Sequence, residues 1–428
     1  MSGKITRAYS IEILLNHCFG DQDMTDALRR AVQRCHQCIW RQLIHPELGL
    51  IYDYAGPDGD GREPFWWLPT ADEIARRYPN PQGWSTGMED SSLSGGFYLD
   101  TMLRAYGLTG HEAYAEKARR LYHGLLRTGT CSPEKGYIAR GLTYDNAHWY
   151  PASSVDQYTS WIYGMWRYAH SEIVKPDEAR AIGTVIRDVC TRAQRDDWAL
   201  NREDGEPSYY TDIGSFTSDH STRLLELLLV AHDLTGEQAW YDLYRQKLEE
   251  QDFKRLESVQ DQAAMSPTPY VAIQTAASLL PLMQLEKDEA ICQRYTSAMN
   301  ACGRGMWYTV PACYQYDQTR IEAADWDPDW RGRYPPGGFR KGGVKFEPPG
   351  WTFEDMVIRR PCEAMIVVLL SADTDPYMDH GAVRDQLRRV VHWALSTYDY
   401  ERLHSYGLVY AEALYWLAVE KQLIDFDN

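Results

Sequence analysis

Apolar positions recur along most of the chain with helical spacing, and the helical segments are of two kinds. The segment from Met24, MTDALRRAVQRCHQCIWRQL, is charged with one apolar face, and residues 112–127 follow the same pattern. The segment from Ser91, SSLSGGFYLDTMLRAYGLTG, is instead apolar and rich in small residues. A charged amphipathic helix buries only one face against its neighbours. We therefore interpret the two kinds as outer and inner helices that are paired.

The same pair is repeated along the chain. TSWIYGMWRYAHSE is followed by DEARAIGTVIRDVCTRAQR, and STRLLELLLVAHDLTG is followed by EQAWYDLYRQKLEEQ. The tags AYGLTGHEAY and AHDLTGEQAW are near-copies, and their Gly110 and Gly236 suit the C-terminal stop of a helix. Further pairs begin at Tyr270 and Pro361, and the first helix would close the ring with SYGLVYAEALYWLAVEK. Six hairpins that cannot bury their apolar faces alone predict an all-α fold, a single-domain (α/α)6 toroid over residues 1–428.

Long segments lead into the predicted inner helices, whereas the links within each pair are short. The long segments cover residues 44–85, 129–152, 196–216 and 305–353, and we expect all of them at one end, above the N-termini of the inner helices. They hold many aromatic residues: Trp66, Trp67, Trp84, Trp149, Tyr150, Tyr209, Tyr210, Trp326, Trp330 and Trp351. Aromatic side chains in a concavity are suited to stacking on sugar rings, although some would only pack the loops onto the helices.

Acidic residues stand at the starts of the inner helices. They are Glu89, Asp90, Asp156, Asp219 and, ahead of the fifth inner helix, Glu354 and Asp355. Glycan chemistry uses two carboxyl groups, one protonated and one ionised, and converging helix N-termini can separate their pKa values. Asp156 and Asp90 are the predicted catalytic pair, with Asp219 in reserve. The alternative is capping, because Ser153 and Ser154 before Asp156 also suit a helix N-terminus.

Arginine, histidine and tryptophan residues near these acids are candidates for holding a substrate. Arg140, Arg223, Arg359 and Arg360 could bind a substrate carboxylate, since the guanidinium fork matches a planar carboxylate. The candidates for orienting a sugar are His148, Trp149, His220 and Trp351. Solvated arginines and a structural loop histidine remain equal alternatives.

Composition and charge limit the partners. A net charge of −17 without a basic run argues against nucleic acid or an anionic membrane, both of which attract clustered cations. No apolar run is long enough to span a membrane, and Glu12 interrupts the short apolar patch near the N-terminus, so we expect no secretion signal. Nine cysteines without a disulfide framework indicate reduced thiols in a cytoplasm.

Signals for metals and cofactors are weak. Cys35 and Cys38 form a CxxC without a second pair, which favours buried helix positions over a zinc or redox site. Asp325, Asp327 and Asp329 imitate a calcium loop, but Trp330 occupies the position that needs glycine. GxxxxGK[ST] and HExxH are absent from the sequence, so neither a phosphate-binding loop nor a zinc protease helix has motif support. We therefore expect neither a metal nor a cofactor.

Two segments carry a resemblance to a known family. GMEDSSLSGGFYLDTMLRAYGLTG and SSVDQYTSWIYGMWRYAHSE, together with the repeated hairpins, resemble the six-hairpin glycosidases. They are most similar to the unsaturated glucuronyl and rhamnogalacturonyl hydrolases of glycoside hydrolase families 88 and 105. The resemblance implies that Asp156 protonates the C4=C5 bond of an unsaturated uronic sugar and activates water for attack at C5, while Asp90 assists. It implies an oligosaccharide as the substrate.

The resemblance is incomplete in the third inner helix. The family opens that helix with a WxRGxxW-like segment whose arginine helps to hold the substrate, whereas SFTSDHSTRLLEL here offers only Arg223 and His220. An exo-β-glucuronidase of the same fold, using ordinary acid and base catalysis, is therefore an alternative. A polysaccharide lyase using Tyr144, His148 and Arg140, or a toroid that only binds a partner, are the others. The sequence leaves the oligomeric state open.

Overall fold

The computed structural model describes residues 21–53, 55–58, 61–64, 66–77, 83–84, 86–208, 212–260, 268–313, 340–341, 344–345, 358–396 and 407–424. Within them lie the helices α1 (Asp21–Gln42), α2 (Ala71–Arg76), α3 (Ser91–Thr109), α4 (Glu112–Thr128), α5 (Val155–Ala169), α6 (Pro176–Arg195), α7 (Ser218–Thr235), α8 (Gln238–Gln260), α9 (Pro269–Leu285), α10 (Glu289–Cys313), α11 (Arg360–Ala372), α12 (His380–Ser396) and α13 (Leu408–Glu420). Two short antiparallel hairpins accompany them, β1 (Ala55–Asp58) with β2 (Gly61–Pro64) and β3 (Arg340–Lys341) with β4 (Val344–Lys345). The fold is therefore all-helical in its core, as predicted.

The long helices form two sets that alternate along the chain. In the first set, α3 contacts α5, and the succession continues through α7, α9, α11 and α13, which in turn contacts α3. The second set packs against the first: α4 lies on α3 and α5, α6 on α5 and α7, and α1 on α13. One hydrophobic cluster draws buried residues from both sets. The predicted alternation of inner and outer helices thus matches the observed packing.

Glycines allow α3 and α5 to approach each other closely. A Cβ atom on Gly96 would lie 1.9 Å from the carbonyl oxygen of Ser160, and one on Gly164 would lie 2.4 Å from the carbonyl oxygen of Gly96. Only residues without a Cβ fit such a backbone contact. This contact holds the two helices side by side, and their N-terminal ends carry Asp90 and Asp156.

The predicted glycine stops at two helix C-termini are confirmed, whereas the predicted serine cap at the N-terminus of α5 is wrong. Gly110 and Gly236 end α3 and α7 in the left-handed conformation, with φ of 65° and 69°, as predicted. The predicted serine caps on α5 are wrong: Ser154 occupies the N-cap position, but its side chain caps no backbone N–H group. Its hydroxyl instead accepts a hydrogen bond from Arg140 at 3.1 Å. The Ser154 hydroxyl thus binds the charged Arg140 side chain in place of a backbone N–H group of α5.

Two predicted loops contain more regular structure than expected. The outer helix α10 was expected to end near Arg304 but continues to Cys313. The segment at 44–85 contains the β1–β2 hairpin and α2. A capping box starts α2: the Thr70 hydroxyl accepts from the Glu73 N–H at 3.2 Å, and the Glu73 carboxylate accepts from the Thr70 N–H at 2.8 Å. That local motif was present in the sequence and gives this short helix its start.

The described residues offer no membrane span and no metal cluster. None of the described helices combines the length and the apolarity that crossing a membrane requires. Across the same residues, histidine, cysteine and acidic side chains do not gather in groups of three or more that could hold a metal ion. Cys35 and Cys38 are buried and unbridged in α1, as the sequence favoured.

Candidate active site

Arg223 joins two of the three predicted catalytic acids. Its guanidinium lies 3.3 Å from a carboxylate oxygen of Asp156 on α5 and 3.4 Å from one of Asp219 on its own helix, α7. Asp219 and Arg223 are four residues apart, a spacing that puts both side chains on one helix face. Arg223 also donates to the side-chain oxygen of Gln274 on α9 at 3.3 Å. Three neighbouring inner helices thus meet at one guanidinium group.

Asp90, the third acid, is held from two other directions. It occupies the N-cap position of α3, yet its carboxylate caps no backbone group of that helix. One of its oxygens accepts from Arg140 at 3.0 Å and from Gln157 at 2.7 Å. The side-chain oxygen of Gln157 accepts from the Leu93 N–H at 2.9 Å, which fixes the amide. Capping therefore does not account for Asp90, and its carboxylate is oriented by α5 and by the 129–154 connection.

A second layer of carboxyl groups lies behind Asp90. The Asp90 N–H donates to Asp53 at 3.0 Å, and Glu89 is buried beside them. Burial raises the pKa of Asp53 well above its ordinary range, and the nearby Asp90 and Glu89 charges raise it further. Burial also raises the pKa of Glu89 to about 7. These shifts favour the protonated forms of Asp53 and Glu89.

The surroundings of Asp156 favour its protonated form. Burial raises the pKa of Asp156, and although Arg223 opposes this effect, the neighbouring Asp90 carboxylate reinforces it. The side chain nevertheless remains 31% exposed, more than those of Asp90 at 20% and Asp219 at 18%. Apart from Asp156, the residues of α5 that escape burial are Arg167 and Ala169 at its far end. Asp156 thus combines a raised pKa with a carboxyl group that a ligand can reach.

His220 lies at the edge of this cluster. Its Nε2 atom is 3.6 Å from a carboxylate oxygen of Asp219, and its Nδ1 atom is 2.8 Å from the Ser215 hydroxyl. Burial lowers the pKa of His220, with Arg223 acting in the same direction. The imidazole is therefore neutral at pH 7 and can exchange hydrogen bonds without adding a positive charge.

The other predicted arginines are engaged with protein groups. Arg140 is buried and donates to the Glu89 carbonyl at 2.6 Å in addition to its contacts with Asp90 and Ser154. Arg359 and Arg360, at the start of α11, both contact Glu363, at 2.7 Å and 3.2 Å. These geometries make Arg140 a positioning group for Asp90. A direct contact between any of these arginines and a substrate carboxylate stays a prediction.

The structure does not bring His148 and Trp149 against the acids. His148 is exposed, and the indole N–H of Trp149 donates to Glu203 at 3.0 Å. The ring of Tyr144, a proposed lyase base, is tilted against that of His45 with centroids 4.2 Å apart, and its role as a base stays a prediction. Trp351, Glu354 and Asp355 lie outside the described residues, as do Tyr209, Tyr210, Trp326 and Trp330.

The two segments that carry the family resemblance form α3 and α5 and supply Asp90 and Asp156. The sequence matches no protein-family model and no curated protein. The resemblance to the six-hairpin glycosidases therefore stays a prediction.

Sequence reasoning missed Gln157 and Asp53, which fix Asp90. Gln157 is fully buried near the start of α5, and a buried amide requires hydrogen-bond partners. That requirement was a usable signal in the sequence. Asp53 offered none, because its contact with Asp90 joins residues 37 positions apart through a loop.

Proposed function

We propose that this protein is a glycoside hydrolase that removes a terminal uronic sugar, saturated or 4,5-unsaturated, from oligosaccharides by acid and base chemistry. The observation that carries the proposal is that Asp156 and Asp219 share Arg223, while Asp90, whose charge raises the pKa of Asp156, stands at the start of the neighbouring inner helix and is held by Arg140 and Gln157. Asp156 and Asp90 thus have different partners, and separate environments give carboxyl groups separate roles. An acid that keeps its proton beside an acid that loses it is the arrangement glycoside hydrolysis requires.

The roles follow from the electrostatics. Asp156 has a raised pKa and is accessible, so it acts as the general acid on the glycosidic oxygen or on a C4=C5 bond. Asp90, aligned by Arg140 and Gln157, is the base or nucleophile. Asp219 shares Arg223 with Asp156 and tunes the charge around it. No cofactor or metal enters these steps.

We propose that the helices form an (α/α)6 toroid in a single domain. Two observations support this arrangement. Contacts among α3, α5, α7, α9, α11 and α13 run in chain order and return from the last helix to the first. The acids at the starts of α5 and α7 meet at one guanidinium, which requires these helices to begin at the same end. A toroid of parallel inner helices satisfies both.

The uronic sugar is proposed because of the family resemblance. A short oligosaccharide is proposed as its carrier because an enzyme in the cytoplasm would meet only small imported fragments. A uronate would be repelled by the acids unless a cation offset their charge. Arg223 is the cation in contact with Asp156, so we propose that it serves this purpose while Asp156 is protonated.

A substrate panel tests the function. Purified protein is incubated with aryl β-glucuronides, neutral aryl glycosides and lyase-generated unsaturated disaccharides, while the absorbance of the C4=C5 bond is followed. An unsaturated uronyl hydrolase destroys that absorbance, a lyase creates it from intact polysaccharide, and an ordinary glycosidase leaves it unchanged. Cleavage of neutral glycosides alone would overturn the uronic substrate. Failure to cleave any member would overturn the enzyme assignment in favour of a binding protein.

A further inference from the structure

The inner helices α7 and α9 face each other through a ladder of polar side chains. Arg223 on α7 donates to Gln274 on α9 at 3.3 Å, and one turn further along, Ser278 donates to Glu226 at 2.5 Å. From the first contact to the second, the residue number increases on both helices, so α7 and α9 run parallel. The spacing of 51 residues between Arg223 and Gln274 recurs between Asp219 and Tyr270. Tyr270 therefore lies on the same face of α9, one turn above Gln274, level with Asp219.

Tyr270 is influenced by the charges of Asp156 and Arg223 and by those of Arg359 and Arg360 at the start of α11. Burial raises the pKa of the phenol, and the Asp156 charge raises it further, against the opposing effects of Arg360, Arg359 and Arg223. The Arg360 guanidinium lies 4.7 Å from the centre of the Tyr270 ring. The ring is thus fixed by a cation on one face, while the side chain remains partly exposed.

The hydroxyl of Tyr270 is available to a ligand. Among the residues that the structure describes, none makes a hydrogen bond with it, although other tyrosines of the inner helices, such as Tyr98 and Tyr163, donate to carboxylates. A partly exposed phenol beside a reactive acid gains a partner when a hydroxyl-rich molecule binds.

We propose that Tyr270 is a substrate-contacting residue whose hydroxyl donates a hydrogen bond to a sugar oxygen bound against Asp156. The proposal rests on the proposed function. It adds Tyr270 to the same site, a residue that was not among the candidates from the sequence. The phenol acts as a donor and not as a base, because it keeps its proton at neutral pH. It helps to orient the sugar ring relative to the proton on Asp156.

The experiment compares Tyr270→Phe with Tyr308→Phe on a substrate that the wild-type protein cleaves. Tyr270→Phe removes only the hydroxyl and keeps the ring beneath Arg360. Tyr308 is 80% exposed on the outer helix α10 and serves as the matched control. We expect kcat/KM to fall about 5- to 10-fold in Tyr270→Phe, the size of one neutral hydrogen bond, with an unchanged melting temperature and normal activity in the control.

Substrates that lack single hydroxyl groups complete the experiment. If Tyr270 contacts one sugar hydroxyl, the matching deoxy substrate loses nothing further in Tyr270→Phe, because two changes to one contact are not additive. Additive losses with every deoxy substrate, or wild-type kinetics in Tyr270→Phe, would overturn the contact and leave the glycosidase proposal standing. If the wild-type protein cleaves no saccharide, the proposed function fails and the Tyr270 contact fails with it.

Discussion

Asp156 and Asp100 are both acids on inner helices, but their surroundings are opposite. Asp100, in the second half of α3, receives Arg104 at 2.8 Å and Arg167 at 2.7 Å, together with the Tyr163 hydroxyl at 2.8 Å. Burial alone would raise its pKa, but the two guanidinium groups outweigh burial and hold the pKa well below the ordinary range. Asp156 has one guanidinium, shared with Asp219, and its pKa is raised.

The difference lies in the number of cations per carboxylate. Arg104 and Arg167 both bind the buried Asp100 carboxylate and stabilise its charged form. This group of ion pairs, called the charged brace below, links α3 to α5. One cation shared by two acids leaves Asp156 with a raised pKa, which suits a carboxyl group that exchanges a proton during a reaction. The first arrangement contributes to stability and the second to chemistry, although α5 contributes to both.

The largest expected effect is on turnover when Asp156 is changed. Asp156→Asn keeps the shape of the side chain but removes its titratable proton, so we expect kcat to fall about 100- to 10,000-fold. The melting temperature should remain within a few degrees of the wild-type value, because Asp156 is not part of a buried brace. Normal turnover on the substrate identified in the panel would contradict the assignment of Asp156 as the acid.

Asp100→Asn should show the reverse pattern. It leaves Arg104 and Arg167 without their shared carboxylate, and breaking such a buried pair destabilises a protein by about 3–5 kcal/mol. Denaturant unfolding monitored by circular dichroism measures the loss at neutral pH. Since the folded pKa of Asp100 is lowered, its contribution is present above the unfolded pKa and lost as the pH falls towards the folded value. The difference between wild type and variant should therefore shrink in acid; a constant difference would contradict the charged brace.

A smaller effect, on stability, is expected when the backbone contact between α3 and α5 is disturbed. Gly96→Ala would place a Cβ atom 1.9 Å from the Ser160 carbonyl and should destabilise the fold by about 1–3 kcal/mol. Gly107→Ala, later on α3, is the matched control, because a Cβ atom there meets nothing within 4 Å. The control should stabilise the helix by about 0.5–1 kcal/mol. Equal melting temperatures for the two variants would show that close packing of α3 on α5 is not required.

The smallest effect concerns the pH profile. Arg223 lowers the pKa of Asp156, so Arg223→Met should raise it and move the alkaline limb of kcat/KM to higher pH, if Asp156 must be protonated to act. Arg223→Lys keeps the charge and should move the limb less. An unmoved limb in the methionine variant would show that a different group controls it.

Helix pattern and glycine stops were predictable because they depend on residues close in sequence. The repeated tags located the ends of α3 and α7 at Gly110 and Gly236, and the acidic starts of the inner helices identified Asp90, Asp156 and Asp219. The partners of Asp156 and Asp90 were not predictable, because Arg223, Arg140 and Gln157 reach these two carboxylates across helices or loops.

Competition between hydrogen-bond donors explains why two residues at helix starts do not cap their helices. Ser154 and Asp90 occupy N-cap positions, and local propensity predicts that they cap their helices. Both accept hydrogen bonds from Arg140 instead, since a charged donor binds more strongly than a backbone N–H group. Whether Ser154 and Asp90 cap their helices thus depends on an arginine 14 and 50 residues away from them, respectively.

The most direct test of the comparison is a carboxyl-resolved NMR titration of protein labelled with ¹³C at the aspartate side chains. Resonances of the two residues are assigned by their loss in Asp156→Asn and Asp100→Asn. The account predicts that Asp156 titrates above the ordinary aspartate value of about 3.9 and Asp100 below it. A pKa for Asp156 at or below that of Asp100 would contradict the assignment of Asp156 as the proton-holding acid.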